Sequence, residues 1–273
     1  MKHARVKPAI GAFLLLSVWV FPLTSAAAEL KIAAKAAVLM NAQTGKVIWA
    51  RNKDLPLPPA STAKILTALT VLDHSRTSDI VTIPAEALRV SGANTQLTAG
   101  EKLTVGDLLH AMLLASANDA AIALALHAGG FIDKFVERMN YQAQTLGAVR
   151  SRFFNPTGMP HPKLLTTAHD LALITKAALE NSDFRKIVGR KTYPWRSRRW
   201  QGTVKNSNKL LETYRGAIGV KTGNTREAGY CLVAAAERDG QTHIAVVLKS
   251  QEKAVWQDAR KLLDYGFQNV TSS

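Results

Sequence analysis

The apolar positions of this chain fall into two periods, strand-like at both ends and helix-like in the middle. Residues 36–40 and 46–51 are short strand-like stretches around Asn41-Ala42-Gln43-Thr44-Gly45, a hairpin signal with glycine at the turn. Residues 217–222, 229–237 and 243–250 again read as strands, with Arg238-Asp239-Gly240-Gln241 as a turn, and 252–267 reads as a closing helix. Between these ends, 61–72, 105–114, 119–128, 131–146 and 167–180 carry helical apolar spacing, broken at Ser116, Asn118 and Gly129-Gly130. The pattern predicts an α/β protein of the α+β type. One antiparallel sheet is built from the two chain ends and flanked by helices, with an inserted all-helical region and a cleft between them. The run 108–128 is apolar enough to suggest a membrane span. His110, Ser116, Asn118, Asp119 and His127 argue instead for two buried helices joined at a turn.

The first 28 residues have a different pattern, that of a Sec-type secretion signal. Lys2, Arg5 and Lys7 precede an apolar core over 9–23, and Ala26-Ala27-Ala28 supplies an A-x-A cleavage site before Glu29. That core contains Gly11 and Pro22 and is short for a bilayer span. Residues 29–273 are then expected to form a single domain in the periplasm or the extracellular wall space. Cys231 is the only cysteine, so no disulfide can form within the chain, and its apolar neighbours suit a buried thiol. The formal net charge is +15. In an exported protein this charge points away from nucleic acid, leaving a solvated basic surface or, more sharply, a contact with anionic envelope polymers or lipid headgroups. It is concentrated over 185–205, where Arg185, Lys186, Arg190, Lys191, Arg196, Arg198, Arg199 and Lys205 alternate with Tyr193, Trp195 and Trp200.

The chemistry starts at Ser61-Thr62-Ala63-Lys64. Between Ser61 and Leu72, Lys64 is the only charged residue, and the run is apolar nearly all round, as in a buried helix. Three-residue spacing places the hydroxyl and the amine one helical turn apart on the same face. An ammonium removed from water loses basicity, so Lys64 is expected to be neutral and able to accept the Ser61 proton. Two further motifs follow: Ser116-Ala117-Asn118 at a helix break, and Lys221-Thr222-Gly223 on a strand. Singly these read as a helix cap and a strand ending at a glycine. In order, S-x-x-K, S-x-N and K-T-G are the signature set of penicillin-binding proteins and serine β-lactamases.

At these residues the chain resembles the D-alanyl-D-alanine carboxypeptidases of peptidase family S11, the low-molecular-mass penicillin-binding proteins. The likeness runs from about residue 36 to residue 267. It includes Asn155-Pro156-Thr157-Gly158, Thr167-Ala168-His169-Asp170, Lys221-Thr222-Gly223-Asn224-Thr225, Ala228-Gly229-Tyr230 and Leu262-Leu263-Asp264-Tyr265-Gly266-Phe267. The resemblance implies a β-lactamase/transpeptidase-like fold, no cofactor, peptidoglycan stem peptides as substrate and β-lactams as covalent inhibitors. Its mechanism implies Ser61 as nucleophile, Lys64 as base with Lys221 lowering its pKa, and Ser116 as a proton relay. Asn118 would bind the substrate amide, and Lys221, Thr222 and Gly223 would line the terminal-carboxylate side. The backbone N–H groups of Ser61 and Asn224 would form the oxyanion hole.

Other readings follow from what the chain lacks. No acidic residue between Ser116 and Lys221 has the E-x-x-L-N context of a class A β-lactamase base, which disfavours that activity. Many family carboxypeptidases grip the substrate carboxylate with an arginine, and here the spacing puts Val255 at that point, with Lys249, Lys253 or Arg260 as substitutes. An enzyme without the grip would suit internal cross-links, making it a DD-endopeptidase. The chain stops six residues after Phe267, where relatives continue into a β-rich domain and an amphipathic anchor, so no membrane anchor is expected. A non-catalytic envelope-binding module is the alternative from outside enzymes. The histidines form no H-x-x-x-H or H-E-x-x-H pair, and no metal is expected.

Overall fold

The computed structural model describes residues 1–3 and 30–270. The chain divides into two units, Met1–Leu30 and Lys31–Ser273, and every element below belongs to the second. Beyond its first three residues, the expected signal sequence lies outside the described residues.

A five-stranded antiparallel sheet forms the frame: β1 (Ala36–Asn41), β2 (Val47–Arg51), β7 (Ala217–Thr225), β8 (Gly229–Arg238) and β9 (Gln241–Ser250), in the order β2-β1-β9-β8-β7. The two chain ends meet at β1 and β9, whose register runs from Ala36↔Leu248 to Asn41↔His243. Strands β8 and β9 are buried almost continuously rather than at every second residue, because helices cover both faces of the sheet. On one face lies α8 (Ala254–Val270). Its Asp258, 2% exposed, accepts the backbone N–H groups of Ala33 and Ala34 and the hydroxyl of Ser250, tying the helix to the start of β1 and the end of β9, which are neighbours in the sheet. On the other face α5 (Ala168–Glu180) packs against β9 and β1.

The inserted region is built around α1 (Lys64–Leu72). Residues Lys64 to Val71 are all buried, enclosed by α2 (Val105–Leu114), α3 (Asn118–Gly129), α4 (Ile132–Thr145) and α5. A helix with no wet face needs the uniformly apolar sequence seen here. Helix α2 starts with a reciprocal capping box between Thr104 and Asp107, and Thr167 caps α5 through the N–H of Asp170. Helix α6 (Ser182–Val188), capped by Asn181, and the single turn α7 (Leu210–Thr213) follow.

The inserted region is not all-helical as the sequence pattern implies. It also carries two small antiparallel pairs: β3 (Ile80–Thr82) with β4 (Lys102–Thr104), and β5 (Thr192–Arg196) with β6 (Gln201–Lys205). The first pair is too short to leave a period. In the second, charge and Pro194 obscure the alternation. Trp195 and Val204 nonetheless turn inward, and the proline occupies an exposed position of a two-stranded ribbon, where its missing donor costs little.

Candidate active site

The prolines Pro58 and Pro59 bring the chain off a bridge in which Leu57 and Thr166 exchange backbone hydrogen bonds. A 3-10 turn over Ala60–Ala63 then leads into α1. Ser61 therefore sits on a turn just ahead of the α-helix, not within it, and remains partly exposed while Lys64 is fully buried. The Lys64 Nζ lies 3.0 Å from Ser61 Oγ, 2.7 Å from Asn118 Oδ1 and 2.6 Å from the Thr157 carbonyl oxygen. Burial, and after it the charge of Lys221, holds the Lys64 pKa well below its ordinary value. In the neutral amine, two N–H groups serve the two carbonyl oxygens, which can only accept. The remaining lone pair is then directed at the Ser61 hydroxyl.

Asn118 opens α3 two residues after Ser116, whose φ of 64° makes the sharp turn between α2 and α3. Its side chain has two partners within the protein: Oδ1 accepts from Lys64, and Nδ2 donates to the Ser91 carbonyl at 2.7 Å. Asn118 thus orients the lysine and the cleft wall at residues 91–93, a task that the substrate-amide role assigned from the resemblance did not include. Gly92 suits the place beside it, with φ at +86° and a Cβ position that would lie 2.9 Å from Asn118 Nδ2 and push that side chain aside.

The second of these carbonyl acceptors comes from the Asn155-Pro156-Thr157-Gly158 loop. Asn155 Oδ1 accepts from the N–H and hydroxyl of Thr157 and the N–H of Gly158, and Asn155 Nδ2 donates to the Met159 carbonyl. Thr67 on α1 donates to the Pro156 carbonyl at 2.7 Å. Gly158, at φ +78°, passes so near the turn before α1 that a Cβ would fall 1.9 Å from the Ala60 carbonyl oxygen. The sequence marks this loop as part of a family likeness but gives it no role, because what it contributes is a backbone carbonyl.

Strand β7, at the sheet edge, brings Lys221, Thr222, Gly223 and Asn224 alongside Ser61. It extends three residues beyond the predicted stretch, to Thr225. A Cβ on Gly223 would stand 3.0 Å from the Ser61 nitrogen and 3.1 Å from the Pro59 carbonyl oxygen, so the absence of a side chain lets the strand lie this close to the backbone of Ser61. Lys221 is 1% exposed, donates to the Thr222 carbonyl, and burial lowers its pKa to about 7. Thr222 shares a 2.7 Å hydroxyl contact with Ser207, a residue that carried no sequence signal.

Ser61, Ser116, Asn118, Thr222, Gly223 and Asn224 converge on one cleft of about 560 Å³. Neither Lys64 nor Lys221 lines it, so the two amines lie beneath its surface. At the α8 end the wall is apolar, with Tyr230, Leu232, Val255 and Trp256. Val255, 2% exposed, is in the cleft wall, and Lys249, Lys253 and Arg260 are not among its lining residues; the cation there is Arg226. A hydroxyl, a buried weakened amine and a strand edge beside a cleft define a serine acyl-transfer site.

Residues 23–252 match the family of D-alanyl-D-alanine carboxypeptidases, peptidase S11. The chain belongs to that family. It is 36% identical over 250 residues to a D-alanyl-D-alanine carboxypeptidase of Bacillus subtilis (strain 168), covering 88% of this chain but 63% of the relative. Against a D-alanyl-D-alanine carboxypeptidase of Streptomyces sp. (strain K15), it is 38% identical over 255 residues, 86% of this chain and 88% of the relative. The crystal structure of the Streptomyces K15 DD-transpeptidase superposes with a TM-score of 0.82 at 36% identity, covering 87% of this chain and 98% of that one. A D-alanyl-D-alanine carboxypeptidase from Mycobacterium tuberculosis H37Rv gives a TM-score of 0.83 at 32% identity, covering 87% and 92%. The β-lactamase/transpeptidase-like fold expected from the sequence is therefore the fold observed.

Proposed function

We propose that this protein is a serine-type D-Ala-D-Ala carboxypeptidase that removes the terminal D-alanine of peptidoglycan stem peptides. The observation that carries the reading is the 3.0 Å contact between the Ser61 hydroxyl and a fully buried Lys64 whose other two contacts are carbonyl oxygens. Ser61 Oγ forms a bond to the penultimate D-Ala carbonyl carbon as its proton passes to neutral Lys64. Collapse of the tetrahedral intermediate breaks the C–N bond, and the leaving amine takes that proton through Ser116. The N–H groups of Ser61 and Asn224 hold the oxyanion, where loss of one donor typically costs about 2.7–4 kcal/mol. Asn118 retains one N–H for the substrate amide, while Thr222 and Lys221, in the ammonium form that a bound anion favours, receive the carboxylate. Water then hydrolyses the ester; with a β-lactam the acyl group stays.

A fluorescent penicillin tests the site: wild type acquires one covalent label and Ser61→Ala acquires none. Persistent labelling of Ser61→Ala would sink the assignment. The reaction is read on purified muropeptides, where pentapeptide monomers should release free D-alanine. The apolar wall at Val255 favours a second reading, DD-endopeptidase activity, which would instead convert cross-linked dimers to monomers. The leading basic-then-apolar segment, ending at Ala26-Ala27-Ala28, supports export to the periplasm or wall space with residues 29–273 as one penicillin-binding domain. N-terminal sequencing of the protein recovered from the envelope should begin at Glu29. Among the described residues no helix is long and apolar enough to cross a membrane.

A further inference from the structure

The β5–β6 hairpin separates its residues by face. Tyr193, Trp195 and Val204 point toward α2 and its surroundings: Trp195 is 1% exposed, the Tyr193 hydroxyl donates to Asp107, and Tyr193 stacks on His110 at 3.7 Å. Trp200 donates its indole N–H to the Thr95 carbonyl. Every aromatic ring of the segment is thus anchored in the body of the protein. Arg190, Lys191, Arg196, Arg198, Arg199 and Lys205 are all exposed, and none forms an ion pair with a carboxylate among the described residues.

The acids beside this face are occupied elsewhere: Asp119, which lines a surface pocket with Arg199, accepts the backbone N–H groups of Thr95, Leu97 and Ala120. Glu101, 4% exposed, accepts the backbone N–H groups of Arg198 and Thr98. Asp107 accepts from Thr104 and Tyr193. The carboxylates brace the hairpin's fold while its guanidinium and ammonium groups remain in solvent. Thr192 pairs with Lys205 at one end of the ribbon and Arg196 with Gln201 at the other. Four strand steps of about 3.4 Å put the two groups of cations roughly 14 Å apart. One small anion cannot contact both groups, whereas a chain of repeating negative charges can. With no exposed ring to seat among acyl chains, the surface fits a hydrophilic polymer better than a bilayer.

We propose that the outward face of this hairpin is a docking surface for a linear phosphodiester polyanion of the cell envelope. The hairpin leads directly to the cleft: two residues after β6, Ser207 lines it and touches Thr222. A bound polymer therefore runs beside the cleft and keeps the protein close to its insoluble surroundings.

The test is direct binding of the full chain to labelled poly(glycerol phosphate), read by fluorescence anisotropy, which does not depend on Ser61 chemistry. Affinity should fall at least about tenfold between 50 and 200 mM salt, since each displaced counterion steepens the salt dependence. The variant Arg196→Gln/Arg198→Gln/Arg199→Gln/Lys205→Gln should bind at least about tenfold more weakly at 50 mM salt, with a shallower salt slope. A charge-matched control, Lys46→Gln/Lys102→Gln/Lys134→Gln/Lys163→Gln, should bind nearly as wild type. Thermal melting confirms that both variants fold. An equal loss in the control would reduce the effect to net charge and overturn the proposal. Tighter binding to vesicles containing 30% phosphatidylglycerol, or to single-stranded DNA of equal charge, would overturn it as well.

Discussion

Two lysines without water carry most of the consequences at the level of single residues. Lys221 has its pKa lowered from 10.5 to about 7 by burial. In the unfolded chain it returns to its ordinary value, so between roughly pH 7 and 10 the unfolded state binds one more proton than the folded state. Stability should therefore rise with pH across that window, by about 1.4 kcal/mol per pH unit for each such lysine. Above pH 10 the trend reverses, because Tyr193 keeps its proton in the fold, its pKa raised to about 12 chiefly by burial, while the unfolded chain releases it. Urea unfolding from pH 7.5 to 9.5 measures this, and Lys221→Met should reduce the slope by about one lysine's worth. An unchanged slope would contradict a neutral Lys221. On the proposed mechanism acylation has its own pH dependence: it uses the deprotonated form of Lys64, and should therefore rise with pH until that amine has lost its proton. The special character of Lys64 was legible in the sequence, where a single charge stands in an apolar run. Its contact with Thr157 was not, because a carbonyl contributed by the backbone has no residue type to betray it.

At the scale of elements, the site depends on one loop holding its shape. Asn155 satisfies three donors of the 155–159 loop and places the Thr157 carbonyl 2.6 Å from Lys64. Asn155→Ala should reduce penicillin acylation by about ten- to a hundredfold while melting within a few degrees of wild type. This is the scale expected when a general base is displaced rather than removed. Melting and acylation lost together would mean that the loop serves stability alone. Gly158→Ala should behave differently and lower the melting temperature markedly, since its methyl group would meet backbone at 1.9 Å in a conformation that already disfavours side chains. Long elements of one period were readable from sequence: the strands β1, β8 and β9 and the helices α2, α4 and α5 fall close to their predicted positions. The β5–β6 ribbon was not, since two five-residue strands, one interrupted by Pro194, joined by an arginine-bearing turn, show their pairing only once Trp195 has a core to enter. Ser207 escaped for a related reason, because its place in the cleft comes from the loop after that ribbon.

For the molecule as a whole, the sheet closes only when both chain ends are present, and α8 fastens them. Asp258→Ala would remove a buried carboxylate accepting from Ala33, Ala34 and Ser250 and leave those donors without a partner. It should destabilise the protein by about 2–4 kcal/mol, measured by denaturant unfolding, with penicillin labelling retained at low temperature. The class of fold could be read from the distribution of periods, because strands at the two termini have to find each other across the helical insertion. The position of the lysines beneath the cleft, at the seam between sheet and insertion, could not. That position has a thermodynamic signature. An anion settling above Lys221 favours its ammonium form, so at pH 8 ligand capture and proton uptake become one event. Calorimetry of a carboxylate ligand in buffers of different ionisation heat should give apparent enthalpies that track the buffer, and affinity should weaken as the solution becomes more alkaline.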